Sequence, residues 1–213
     1  MLGGPDGLVT GAADRPTDAG DLVVLVHSTV AADDIRRWHA AFRPARIAVH
    51  DAAVAGGAAA ARAGDLVLLV GGLADLDPAT RGLLDAYAGL VLDAGPVGAG
   101  AVLKLAVNVM TYAQQAAAAA AWDLVADAGG DPALLLEAWR HTGQLGRLTE
   151  QYAGLLALPA EAVAGDLARL LATTAAIAHK DLDLAAGSVA HPVWRDLLTA
   201  IDGAVGRTLR LEG

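Results

Sequence analysis

The sequence predicts an α/β fold in which the closing strands of a parallel sheet are followed by an all-helical domain. Two observations carry that expectation. Up to about residue 96, short β-branched and aliphatic runs alternate with helix patterns, the arrangement that produces βα units. Beyond Gly100 the strand signal stops and an alanine-rich, helix-favouring stretch takes over. Composition sets the scale: hydrophobic residues make up 55% and charged residues 18% of the 213, so a sizeable core is available and disorder is not expected. The expected division is residues 1–96 and 97–213.

The elements follow in order. Residues 1–20, rich in Gly, Pro and Asp, read as irregular with one short helix. Leu22 to Val26 is a near-continuous aliphatic run, the mark of a strand buried on both faces. A helix is expected from Ala31 to Phe42, stopped by Pro44. Arg46 to His50 and Leu66 to Val70 read as the second and third strands, the latter closed by Gly71-Gly72. Asp77-Pro78 supplies the cap and first-turn proline of a helix, and Leu90 to Leu92 forms a last strand. From Ala101 to Ala128 a long helix is expected, ended by Gly129-Gly130, with the run Ala116–Ala121 permitting close packing. Further helices are expected at 132–141, 146–157, 160–187 and 192–208, with Pro159 and His191-Pro192 as breaks.

Several function classes are excluded early. A formal net charge of −9 repels phosphate backbones, and no run of Lys or Arg marks a membrane-binding face. Cysteine is absent, which removes disulfides, thiol catalysis and zinc–thiolate sites. The opening Leu2–Leu8 segment is turn material rather than a signal peptide, and Lys104, Gln114, Gln115 and Asp123 interrupt the apolar stretches, so none spans a bilayer. A soluble, cytoplasmic chain is expected. His27, His50, His141, His179 and His191 show no metal-ligand spacing, and Ser28 lacks a Gly-x-Ser-x-Gly context.

The most informative segment runs from Gly95 to Asn108. Its glycines let backbone approach closely and leave amides at a helix start, a ready anion site. Gly100, Lys104 and Asn108 are spaced by four and share one helix face. Leu103, Leu105 and Val107 surround the lysine with apolar groups near the positive end of its helix. Both effects penalise the charged ammonium and push its pKa toward acid–base use. On spacing alone, a snorkelling surface lysine is the more common case.

The pattern Gly98-x-Gly100-x-x-x-Lys104-x-x-x-Asn108 resembles the catalytic signature of the β-hydroxyacid dehydrogenase family, whose members include 3-hydroxyisobutyrate and 6-phosphogluconate dehydrogenases. The resemblance implies that Lys104 is the general acid–base and that Asn108 holds the substrate. Three further segments agree in order. His27-Ser28-Thr29-Val30 is similar to the family's Ser-Thr-Val strand end, which implies substrate contact for Ser28 and nicotinamide contact for Thr29. Read from the residues, Ser28 or Thr29 is equally a helix cap. Asp51-Ala52-Ala53-Val54-Ala55-Gly56-Gly57 looks like the substrate-binding Asp-x-Pro-Val-Ser-Gly-Gly, with Ala53 and Ala55 in place of proline and serine. There Gly56 and Gly57 would offer amides to a carboxylate. His179-Lys180-Asp181-Leu182-Asp183-Leu184-Ala185 is close to Lys-Asp-Leu-x-Leu-Ala, which implies that Lys180 reaches the cofactor; a Lys-Asp pair by itself reads as a solvated face.

For residues 1–96 the resemblance implies a Rossmann-type NAD(P)-binding domain that lacks its Gly-x-Gly-x-x-Gly half, since no glycine here has that spacing. For 97–213 it implies the helical substrate and dimerisation domain. Strands Leu22–Val26 and Leu66–Val70 would then keep an exposed edge, which homo-oligomerisation would relieve. The expected activity is hydride transfer between NAD or NADP and a small hydroxy acid or its aldehyde. The alternatives are a cofactor-free binding or scaffold protein derived from the same family, and an inactive gene fragment.

Overall fold

A computed structural model describes residues 20–144 and 146–211; the expected irregular start and its Leu2–Leu8 loop lie outside the described residues. The chain divides into two compact units, Met1–Leu105 and Ala106–Gly213. The first unit is α/β and the second is helical.

In the first unit, β1 (Leu22–Val26), α1 (Ala32–Phe42), β2 (Ile47–Ala55), α2 (Gly57–Ala63), β3 (Leu66–Gly71), α3 (Pro78–Asp85) and β4 (Ala88–Gly95) follow one another. The strands form one sheet in the order β1-β2-β3-β4. Pairings β1–β2 and β3–β4 are parallel, as expected, but β2–β3 is antiparallel. Connection length explains the difference. A parallel crossover needs about a dozen residues or more, and residues 27–46 and 72–87 supply them, whereas 56–65 are too few.

Each helix covers one sheet face. Under α1, Ile35 and Phe42 pack with Val26, Ile47, Val49 and Ala101. On the opposite face, Leu84 of α3 packs with Ala52, Leu68, Val70 and Leu76. Asp77 caps α3 as expected, accepting from the amides of Ala79 at 2.9 Å and Thr80 at 3.0 Å. The strand expected to start at Arg46 starts one residue later, because Arg46 turns the chain with φ 57°.

Two histidines without a role in the sequence reading have one here. β2 pairs with β1 through Asp51 and with β3 from Ala52 onward. Near that changeover, His39 Nδ1 donates to the Val49 carbonyl at 2.8 Å and the buried His50 Nδ1 donates to the Gly71 carbonyl at 3.1 Å. Their rings meet edge to face with centroids 5.4 Å apart. A carbonyl only accepts, so each Nδ1 carries the hydrogen.

Helix α4 (Ala99–Asp127) leads into the second unit, which holds α5 (Leu134–Thr142), α6 (Arg147–Leu156), α7 (Gly165–Ser188), α8 (Pro192–Gly203) and α9 (Val205–Thr208). The helix expected over 160–187 is split by a break at Val163 and Ala164, and the one over 192–208 by Ala204. Leu171, Ala175, Ala178, Leu182 and Ala185 recur every three or four residues and form the buried stripe of α7. It packs with Leu198, Ile201 and Val205, and three alanines on the stripe allow close approach. Among the described residues, no helix is long and apolar enough to cross a membrane, and no group of three or more histidines and carboxylates could hold a metal ion.

Gly100 and Gly187 make a contrasting pair. A Cβ on Gly100 would stand 2.2 Å from the Leu69 carbonyl oxygen, while one on Gly187 meets nothing within 4 Å. Gly100→Ala is therefore expected to destabilise the fold by about 2 kcal/mol, read as a lower urea midpoint. Gly187→Ala should leave stability unchanged or raise it by up to about 1 kcal/mol through helix propensity. Equal midpoints for the two variants would contradict this packing.

Candidate active site

The glycine-rich turn before α4 was expected to be an open anion site. It is occupied by the chain itself. Asp51, 1% exposed at the middle of β2, accepts from the Gly98 amide at 2.7 Å and the Ala101 amide at 2.8 Å. A carboxylate at a helix N-terminus satisfies amides that have no partner within the helix and meets the positive end of its dipole.

The glycines make room for this clamp. A Cβ on Gly71 would lie 2.2 Å from Asp51 Oδ1, and one on Gly100 would lie 2.9 Å from Asp51 Oδ2. Gly98 has φ +91°, a conformation that side chains disfavour. Asp51 thus sets where α4 starts, and with it the position of Lys104 one turn later. Lys104 is half-buried between Ala101 and Leu105, which are buried at 2% and 5% exposure. Leu103 and Val107, expected to enclose it, are each 37% exposed.

Ser28 and Thr29 lie just past the carboxyl end of β1, Ser28 exposed and Thr29 half-buried. The helix-cap reading of these hydroxyls does not hold: the cap of α1 is Ala31, without a side-chain bond. His27 Nδ1 donates to the Ala52 carbonyl at 2.5 Å, and the Tyr87 hydroxyl donates to His27 Nε2 at 3.2 Å. The first bond ties the β1 end to β2, and the second ties it to the residue that precedes β4. Burial pushes the Tyr87 phenol up, which keeps it a donor.

Gly56 and Gly57 lie past the carboxyl end of β2, at the same end of the parallel β1–β2 pair. Both need positive φ, 122° and 72°, and a Cβ on Gly56 would meet Ala60 at 2.7 Å. They open the short helix α2, absent from the sequence reading.

The second unit gathers Asn108 and Lys180 around a residue that the sequence reading quoted without a role. Asp181, 1% exposed, accepts from Asn108 Nδ2 at 2.6 Å, the Tyr112 hydroxyl at 3.0 Å and Lys180 Nζ at 2.5 Å. The solvated-face reading of this Lys-Asp pair therefore fails for the aspartate. The Tyr112 phenol is pushed well above its ordinary range by burial, then by the Asp181 charge and hydrogen bond, so it stays a donor.

The clamp has a direct test. In Asp51→Asn an amide nitrogen faces one of the two backbone donors, and that buried bond is lost. Stability should fall by about 1–3 kcal/mol, read from urea unfolding. An unchanged midpoint would show that the carboxylate is not what holds the start of α4.

Residues 4–97 match the family described as the NAD binding domain of 6-phosphogluconate dehydrogenase. An uncharacterized oxidoreductase of Mycobacterium tuberculosis is 34% identical over 167 residues, covering 76% of this chain and 55% of that protein. An NAD-dependent L-serine dehydrogenase of Pseudomonas aeruginosa is 43% identical over 86 residues, 40% of this chain and 29% of the relative. The chain thus matches about half the length of the first relative and less of the second. Among solved structures, 3-hydroxyisobutyrate dehydrogenase of M. tuberculosis with L-serine superposes with a TM-score of 0.67 at 24% identity, covering 94% of this chain and 69% of that one. That likeness extends the shared fold across both units. Over the part of those proteins that it spans, the chain belongs to the β-hydroxyacid dehydrogenase family, with its Rossmann-type sheet followed by a helical domain.

Proposed function

We propose that this chain serves hydride transfer between NAD or NADP and a small 3-hydroxy acid, with Lys104 as general acid–base. The observation that carries the reading is the placement of its lysines. Of fifteen lysines and arginines, only Lys104 and Lys180 are lysine, and both stand in the matched motifs. Arginine suffices where a fixed charge or a packed stem is needed, but it does not release its proton near neutral pH. The lysine at position 104 is a group that can.

In the oxidising direction, the neutral Lys104 amine takes the proton of the substrate hydroxyl as that O–H bond breaks, and the substrate becomes an aldehyde. Nicotinamide, when bound, supplies the acceptor for the hydride leaving the same carbon. Asn108 holds the substrate, Ser28 and the Gly56 and Gly57 amides take its carboxylate, and Thr29 and Lys180 contact the cofactor. The fit to the nicotinamide end rests on the hydroxyls past the carboxyl end of β1, where open α/β sheets bind ligands. The names of the relatives support the substrate class, since L-serine is itself a 3-hydroxy acid. In this reading residues 1–96 serve the cofactor, and 97–213 serve the substrate and contacts between copies.

The test is cofactor titration and turnover with L-serine and 3-hydroxyisobutyrate, comparing the chain with its Lys104→Arg variant. Arginine keeps the charge and loses the acid–base step, so turnover should drop by at least about 100-fold while cofactor affinity holds. Turnover that survives in Lys104→Arg would remove Lys104 from the chemistry. No saturable cofactor signal would favour a cofactor-free binding protein, a reading in keeping with the occupation of the α4 amides by Asp51.

A further inference from the structure

A carboxylate that is 1% exposed and receives three donors from two helices is not an incidental surface charge. Burying it unpaired would be strongly unfavourable, and the three donors offset that. Neighbouring residues on a helix do not face each other. Lys180 nevertheless bends to bond the next residue, with its side chain 47% exposed. Holding a flexible ammonium in this way gives up rotamer freedom, which fits a group whose position matters.

The Asn108 contact fixes orientation as well as place. A carboxylate only accepts, so the amide nitrogen must be the end facing Asp181, and the carbonyl oxygen is the end turned from it. Tyr112, four residues on along α4, donates to the same Asp181 oxygen and fills its second site.

We propose that Asp181 is a positioning residue that fixes the orientation of the Asn108 amide and anchors the Lys180 ammonium. The inference rests on the hydroxy-acid reading for its consequence in catalysis, and on the Asp181 hydrogen bonds for its mechanism.

The chain contains a single asparagine, so labelling with 15N-asparagine isolates the Asn108 side-chain NH2 pair in an NMR spectrum. In Asp181→Leu, which keeps the volume, removes both acceptor oxygens and adds no second asparagine, the two amide proton shifts should move toward those of a solvent-exposed asparagine. In Tyr112→Phe, which removes the donor sharing Oδ2, the pair should shift further from exposed values. This second variant decides the matter if the first does not fold. Unmoved resonances in either folded variant overturn the proposal. Given turnover, Asp181→Leu should lower kcat on the order of 100-fold. Adding Asn108→Ala should then cost far less than the product of the single losses; multiplicative losses also overturn it. A parent chain without turnover would sink the hydroxy-acid reading, and the NMR result would then decide the role of Asp181 alone.

Discussion

The carboxylate of Asp51 is the interaction on which the rest of the first unit depends. It lies in the middle of a strand, 1% exposed, and its two oxygens take two backbone amides at the start of α4. Remove it and a helix N-terminus is left with buried unsatisfied donors. Keep it, and Gly71 and Gly100 follow, because a side chain at either position would collide with Asp51 or with the Leu69 carbonyl. What looks like a ligand-binding glycine motif is, in this fold, the clearance around an internal anion.

That arrangement separates two tasks which the sequence pattern merges. The glycines and Asp51 set the helix, and the helix carries Lys104, the proposed acid–base group. Lys104 stands one turn beyond Ala101, whose amide the clamp holds, so the clamp fixes its backbone. A second buried aspartate, Asp181, works in the same manner within the helical unit, on side chains instead of backbone. Both aspartates sit in motifs known for other residues. Asp51 bonds the backbone at the start of α4, and Asp181 bonds the side chains of Asn108, Tyr112 and Lys180.

Much of the architecture was legible in advance. Leu22–Val26 is a strand to the residue, and the long helix over Ala99–Asp127 lies within two residues of its expected ends. These elements carry strong local signals, a β-branched run and an alanine-rich stretch. The misreadings fall where local signal is weak. Ala52–Ala55 has small side chains with little strand preference, so β2 looked shorter than it is. Gly56-Gly57 looked like a loop and begins a helix. The antiparallel β2–β3 pairing was latent in the short connection between them. The site residues were legible as motifs, whereas the roles of Asp51 and Asp181 were not. Their partners are 47, 50, 69 and 73 residues away in the chain, and no local pattern encodes that distance.

Hydrogen exchange at the amides of Gly98 and Ala101 tests the central claim most directly. Both are donors to one buried carboxylate, so they should exchange only when the first unit opens as a whole, at the rate of its slowest strand amides. Exchange at the rate of exposed loop amides would mean that Asp51 does not hold the start of α4. The positioning of Lys104 would then need another cause.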